Sequence, residues 1–196
     1  MGKGEETKTL ILEKAVQIAS IQGLEGLTIG SLADELGMSK SGLFGKFSSK
    51  ENLQIEVLRR ASELFRRSVI YPTLKSKPGL TRLKTAFLRW LTWANQGGLP
   101  GGCLFLSSSA EFDDRPGIVR NHLQKIQRSW KDSLSEFVEE SKRTGELHSK
   151  TKADSLVQDI WGIILAFHFF HRLLEDKTAE NHAKQSFSEL LKRNSM

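Results

Sequence analysis

Lys40, Lys46 and Lys50 lie in the stretch MSKSGLFGKFSSK, among small and hydroxylic residues. Their ammonium groups can neutralise phosphates, the source of most sequence-independent affinity for nucleic acid. Gly42 has no side chain, so the backbone there can approach a phosphate or a base edge. Leu43 and Phe47, one helical turn apart, can hold such a segment against its neighbours. The chemistry on offer is binding to an anionic polymer rather than bond making.

The elements that would position these residues run from Leu27 to Leu53. Thr28 can cap a short helix with its hydroxyl. Ile29, Leu32, Ala33 and Leu36 recur at helical spacing along that helix. Gly37 ends it, since glycine accepts the left-handed backbone of a helix terminus. Met38 is expected to plug the turn. Ser39 caps the next helix, which runs to Phe47, and Ser48 or Ser49 caps a longer one. A helix, a glycine-bearing turn and a second short helix are the parts of a helix-turn-helix. Glycine-punctuated short helices also occur in proteins that bind no DNA, so the pattern alone leaves both readings open.

The wider segment from about Thr9 to Leu53 resembles the N-terminal domain of the tetracycline-repressor (TetR) family of transcriptional regulators. The resemblance rests on Ile11, Leu12 and Ala15, on Gly23, on Leu27-Thr28-Ile29 and Leu32-Ala33. It continues through Leu36-Gly37-Met38-Ser39, Gly42-Leu43-Phe44, Phe47 and Ser49-Lys50-Glu51 with Leu53. This ordered match is far more specific than any short motif. It implies DNA contacts by Thr28, Lys40, Ser41, Gly42, Leu43, Phe44, Lys46 and Lys50. Two positions depart from the family's habit. Phe44 stands where tyrosine is usual, which removes a phosphate hydrogen bond. Lys46 stands where histidine is frequent, and restores some charge.

The predicted fold is all-α, with a three-helix DNA-binding domain over residues 1–52 and a helical ligand-binding and dimerisation domain over 53–196. The formal net charge of +6 favours an anionic partner. Acidic residues outnumber basic ones up to residue 58, so the second short helix is a local basic patch. A later basic run from Arg59 to Arg89 reads as a solvated helix face. The single cysteine, Cys103, excludes an intrachain disulfide. The N-terminal residues lack the apolar core of a signal peptide. The longest apolar run, Ile160 to Phe170, is too short to span a bilayer. A cytoplasmic protein with no membrane partner is expected.

The rest of the chain reads as helices. Leu10, Ile11, Ala15, Ile18 and Ala19 mark an amphipathic first helix, with Gly23 and Gly26 flanking its exit. Leu53, Val57, Leu58, Ala61 and Phe65 face inward on a long helix expected to break at Tyr71-Pro72. Leu83, Phe87, Trp90, Leu91 and Ala94 form a further stripe, broken by the glycine-rich stretch from Gly97 to Gly102. A short helix from about Cys103 to Phe112 follows. Asp113 or Asp114 should cap the next, with Pro116 in its first turn and an end at Gly145. The segment from Lys152 to Leu174 is apolar nearly all round beyond Ile160, so it must be buried on more than one side. A last amphipathic helix carries Ala183, Phe187, Leu190 and Leu191. No strand or internal repeat is predicted.

Aromatic residues concentrate in the middle of the chain, as a core or as the walls of a cavity. The family resemblance implies an inducer pocket in these helices. Its candidate lining is Phe87, Trp90, Phe105, Ser109, Phe112, Trp130, Trp161 and His168, for a small molecule of unknown identity. His168 and His171 share a helix face, but no further ligand completes a metal set, so neither metal nor cofactor is expected. Cys103 follows two glycines at a predicted helix start, where amides can lower a thiol's pKa. Similar elements sense electrophiles in some family members; an inert, partly buried residue is the other reading.

No phosphate loop, dinucleotide fingerprint, nucleophile elbow or zinc-protease helix is present, so no enzymatic activity is expected. A helical interaction module without operator specificity remains the rival to a regulator. The apolar helix beyond Ile160 predicts a homodimer centred on Trp161, Leu165, His168, Phe169 and Arg172, joined by Phe187 and Leu190. Its two-fold axis would match a near-palindromic double-stranded operator. Repression, released by the inducer, is what the family resemblance implies.

Overall fold

The computed structural model describes residues 3–96 and 99–195. Its elements are α1 (Lys3–Gln22), α2 (Ile29–Leu36), α3 (Lys40–Phe47), α4 (Lys50–Phe65), α5 (Tyr71–Leu74), α6 (Leu80–Gln96), α7 (Leu104–Phe112), α8 (Ile118–Arg143), α9 (Ala153–Arg172) and α10 (Ala179–Asn194). The fold is all-α, with the helix-turn-helix in its N-terminal part. One isolated bridge, Leu147 to Ser195, is the sole β pairing among the described residues. Contacts divide the chain into two compact units that are not consecutive in sequence. The first is Met1–Arg66 with Asn95–Gln127, and the second Arg67–Ala94 with Arg128–Met196. This division differs from a cut at residue 52, because α4 and α7 both pack on α1.

In the first unit the short helices start where hydroxyls meet free amides. Thr28 Oγ1 accepts from the Ser31 amide while Ser31 Oγ accepts from the Thr28 amide, a reciprocal box. Ser39 caps α3 through the Gly42 amide and Ser49 caps α4 through the Asn52 amide. Gly37 ends α2 at φ 61°, in the left-handed region. Met38 is only half-buried, a partial plug. Ala15, Val16, Ala19, Leu24, Leu27, Leu32, Leu43, Leu53 and Leu58 form the core, all essentially inaccessible. Arg60 of α4, largely buried, is shared between Glu13 of α1 and Glu63.

Two expected boundaries move. The helix begun at Lys50 does not break at Tyr71-Pro72. It widens into a π turn over Arg66–Ile70 and resumes as α5, with Pro72 in the first turn. There the missing amide of proline has no helical partner to lose. Neither Asp113 nor Asp114 caps α8, which starts at Ile118, after Pro116 and Gly117. Asp113 instead accepts from its neighbour's amide. Gly97 and Gly98 of the expected break lie outside the described residues.

The second unit is stitched by aromatic contacts. Phe87 of α6 stacks on Phe187 of α10 with centroids 3.9 Å apart, and Trp90 meets Phe167 of α9 edge-on at 5.8 Å. Leu156, Val157, Ile160, Ile164 and Phe167 turn the inner face of α9 into its core. Arg82 bridges to Glu140 at 2.7 Å, and Glu146 accepts the Leu80 amide at the start of α6.

Gly101 brings its loop directly against α1. A Cβ there would lie 1.6 Å from the Ser20 carbonyl oxygen of α1, and the Gly101 amide donates to Ser20 Oγ at 3.0 Å. Gly101→Ala should therefore destabilise the protein by about 1–3 kcal/mol, as overpacking does. Urea unfolding checks this, and an unchanged midpoint would contradict the close approach.

Candidate nucleic-acid interface

The recognition element is α3, and two side chains decide how it sits. Leu43 is 0% exposed and Phe47 1%, so both face the core. The opposite face carries Lys40, Ser41, Gly42, Phe44 and Lys46, all exposed. Phe44, at 57%, holds its ring in water. A large apolar side chain left so open on a basic helix is available for an apolar contact, such as a thymine methyl. Leu43 is also among the residues expected to touch DNA, and its side chain is turned into the core. It is wholly occupied there, and α3 would have to rotate by about half a turn to free it.

The polar face is lightly tied. Lys40 Nζ lies 3.8 Å from Asp34 Oδ2, both side chains well exposed, a pairing worth little in water. Lys46 has no ion-pair partner among the described residues. Thr28 is exposed beside the first amides of α2, where anions bind favourably. Lys50 is different. Its Nζ donates to Glu25 Oε1 at 2.8 Å, and its side chain is partly covered. The sequence places Lys50 near a phosphate; the structure places it on a carboxylate.

Glu25 sits in the loop between α1 and α2, and that loop is held from several sides. Glu111 of α7 accepts the Leu24 amide at 3.2 Å and the Glu25 amide at 2.7 Å. Gly23, at φ 82°, leaves room for that carboxylate; a Cβ would collide with it. Gln54 of α4, 2% exposed, donates to the Leu24 carbonyl at 2.9 Å. The Lys50 hydrogen bond, with Gln54 and Arg115 nearby, holds the Glu25 carboxyl below the usual carboxylate range. Sequence reasoning missed Glu25, Gln54 and Glu111. Gly23 was the one visible sign of the clasp, because its partners lie far along the chain.

The residues expected to line a ligand pocket fall in both units. Phe105, Ser109 and Phe112 belong to the first. Phe105 meets Phe65 edge-on at 5.8 Å, and Phe112 is buried. The Ser109 hydroxyl donates to the Phe105 carbonyl at 2.7 Å and accepts from Gln127 at 2.9 Å. Phe87, Trp90 and Trp130 are buried in the second unit, where Trp161 and His168 are half-buried. Burial, with Arg172 and His171 adding like charge, pushes the His168 pKa down. Cys103 is 2% exposed, so its thiol is sealed rather than presented. Of the expected interface residues, Phe187 and Leu190 are already buried in their own chain, Phe187 by stacking on Phe87. Their side chains are therefore not exposed for a contact with a second subunit. Leu165 and Phe169 are 52% and 48% exposed on α9, and Arg172 is exposed as well. Phe170, Leu173 and Leu174 extend the exposed strip and were not anticipated.

A capped α2, a left-handed glycine turn and a core-anchored α3 with a basic outer face define a helix-turn-helix regulator. Family comparisons agree with the geometry. Residues 11–57 match the bacterial regulatory proteins of the tetR family, and residues 79–187 match the tetracyclin repressor-like C-terminal domain. The chain belongs to the TetR family of DNA-binding transcriptional regulators. No curated protein matches it. Among solved structures, a TetR transcriptional regulator from Chloroflexus aurantiacus J-10-FL superposes with a TM-score of 0.90 at 23% identity, covering 100% of this chain and 98% of the other. A regulator from Saccharomonospora viridis in complex with choline superposes at 0.77 with 19% identity, covering 98% of each chain. AibR, in complex with isovaleryl coenzyme A and operator DNA, superposes at 0.75 with 18% identity over 93% of this chain and 96% of its own.

Leu43 and Phe44 differ in what they support, although adjacent. Leu43→Ala should cost about 2–5 kcal/mol of stability, as emptying a packed site does. Phe44→Ala should stay within about 0.5 kcal/mol. Urea unfolding of the two variants reads the difference, and equal losses would refute the assigned faces of α3.

Proposed function

We propose that this regulator is a repressor that binds a near-palindromic duplex operator as a homodimer and is released by a small molecule. The observation that carries the DNA reading is the exposed face of α3, basic and hydroxylic, on a helix pinned by Leu43 and Phe47. Lys40, Ser41, Gly42, Phe44 and Lys46 would enter the major groove. Thr28 would bind phosphate beside the first amides of α2, and Lys50 would bind one near the start of α4. AibR, of the same fold, is in complex with operator DNA, which supports this use of the helix-turn-helix.

Dimerisation rests on α9. Leu165, Phe169 and Phe170 on it, with Leu173 and Leu174 just beyond its end, are between 46% and 69% exposed, while the other face of the helix fills its own core. An apolar strip of this extent in water marks an interaction surface. A groove between α9 and α10, floored by Ala183 and Leu190, runs beside it. A second copy would bury both about a two-fold axis and set two α3 helices against successive major grooves.

The inducer would act through the C-terminal helices by binding one state of the dimer better than the other. Relatives of this fold are in complex with isovaleryl coenzyme A and with choline. Molecules so unlike each other are selected by lining side chains rather than by the fold. The aromatic residues Phe87, Trp90, Phe105, Phe112, Trp130 and Trp161, with Ser109 and His168, are the candidates here.

Leu165→Asp tests the assembly. In a dimer it would place an unpaired charge in a buried strip, at a penalty of several kcal/mol. Sedimentation should show monomers, and binding to a two-half-site duplex should fall at least tenfold. A variant that still sediments as a dimer, or an unmodified protein that binds the full operator as a monomer, would overturn the reading.

A further inference from the structure

The pairing of Lys50 with Glu25 bears directly on how tightly the protein holds DNA. Lys50 sits at the first turn of α4, the edge of the helix-turn-helix, and its ammonium is engaged at 2.8 Å. Glu25 is not a loosely placed surface acid. Its own amide is fixed by Glu111, and its other oxygen lies 3.4 Å from Gln54 Nε2. Arg115 approaches the oxygen that Lys50 uses, at 3.5 Å. The carboxylate is therefore met by Lys50 and Gln54 of α4 and by Arg115 in the loop after α7, while Glu111 of α7 holds its backbone. Lys50 is the one of these donors on the recognition side of the unit that can swing away without unpinning the loop. If it leaves, Arg115 and Gln54 remain to satisfy Glu25.

We infer that Glu25 is an intramolecular competitor for Lys50, which must exchange this carboxylate for an operator phosphate when the protein docks. The inference rests on the reading of Lys50 as a phosphate contact. Its chemistry is the exchange of one oxyanion for another, with no change in protonation of either group. Part of the electrostatic gain at Lys50 is then spent in breaking the internal pair, so Glu25 sets operator affinity without touching DNA. Because Glu111 and Arg115 hold Glu25, the position of α7 determines how firmly Lys50 is kept. A carboxylate near the interface would also repel DNA directly, and the test must separate that repulsion from competition for Lys50.

A double-mutant cycle on a duplex operator, titrated with salt, makes the separation. Glu25→Gln should raise affinity severalfold and leave the slope of log K against log salt nearly unchanged, because Lys50 reaches its phosphate in both complexes. Glu25→Asp keeps the charge but draws it back from Lys50, and should raise affinity by less. In a Lys50→Gln background both Glu25 substitutions should lose their effect on affinity. The thermal midpoint, followed in parallel, identifies a variant whose loop has loosened, and Glu25→Asp then replaces Glu25→Gln as the deciding comparison. If Lys50→Gln alone leaves affinity and slope unchanged, Lys50 is no phosphate contact and both readings fall. If Lys50→Gln acts but the Glu25 variants leave affinity unchanged, or act equally in both backgrounds, the competitor role is refuted and the phosphate contact stands.

Discussion

An eight-residue helix with two glycines cannot hold itself together in water, and the DNA-binding surface is built on such a helix. What holds α3 is the burial of Leu43 and Phe47 on one side and the hydroxyl of Ser39 at its start. Each fully buried side chain contributes about 1.5–3 kcal/mol, more than the helix could gain from its own hydrogen bonds. Everything on the outer face follows from that anchoring. Because Leu43 and Phe47 fix the rotation of α3, the side chains between and around them must point away from the core. The basic, hydroxylic and aromatic groups are presented by default rather than by any contact of their own.

The same unit shows how charge is managed around such a surface. The cations of α3 are left with weak or no partners, while Lys50 at its margin is paired through a loop that α7 holds in place. The difference is one of geometry. Glu111 reaches two backbone amides because Gly23 has no side chain in its way. Gly101 lets another loop touch α1 for the same reason. Small residues at these two points allow the segments around α7 to lie directly on the end of α1 and the loop beyond it.

Most of the helices and the caps of α2, α3 and α4 were legible because they depend on local chemistry. Thr28, Gly37, Ser39 and Ser49 act within a few residues of themselves. The TetR membership was legible for the same reason, since its marks are local and ordered. What escaped the sequence depends on distant partners or on competition between them. Leu43 carries both an apolar side chain and a place in a DNA-contacting motif, and only its packing shows which use prevails. Phe187 belongs to an amphipathic stripe that could face a second subunit, until its stack on Phe87 is seen. Pro72 is a helix breaker in isolation, yet the π turn before it lets the helix resume. Glu25 and Glu111 carry no local signal at all.

In the proposed dimer, two α3 helices would read one duplex from opposite sides of a two-fold axis. Hydroxyl-radical footprinting on DNA selected by the protein from random duplexes tests this most directly. The expected result is a near-palindromic site with two protected patches centred about one helical turn, roughly 34–36 Å, or a multiple of it apart. Protection of a single, asymmetric half-site at saturation, or enrichment of no sequence at all, would contradict it.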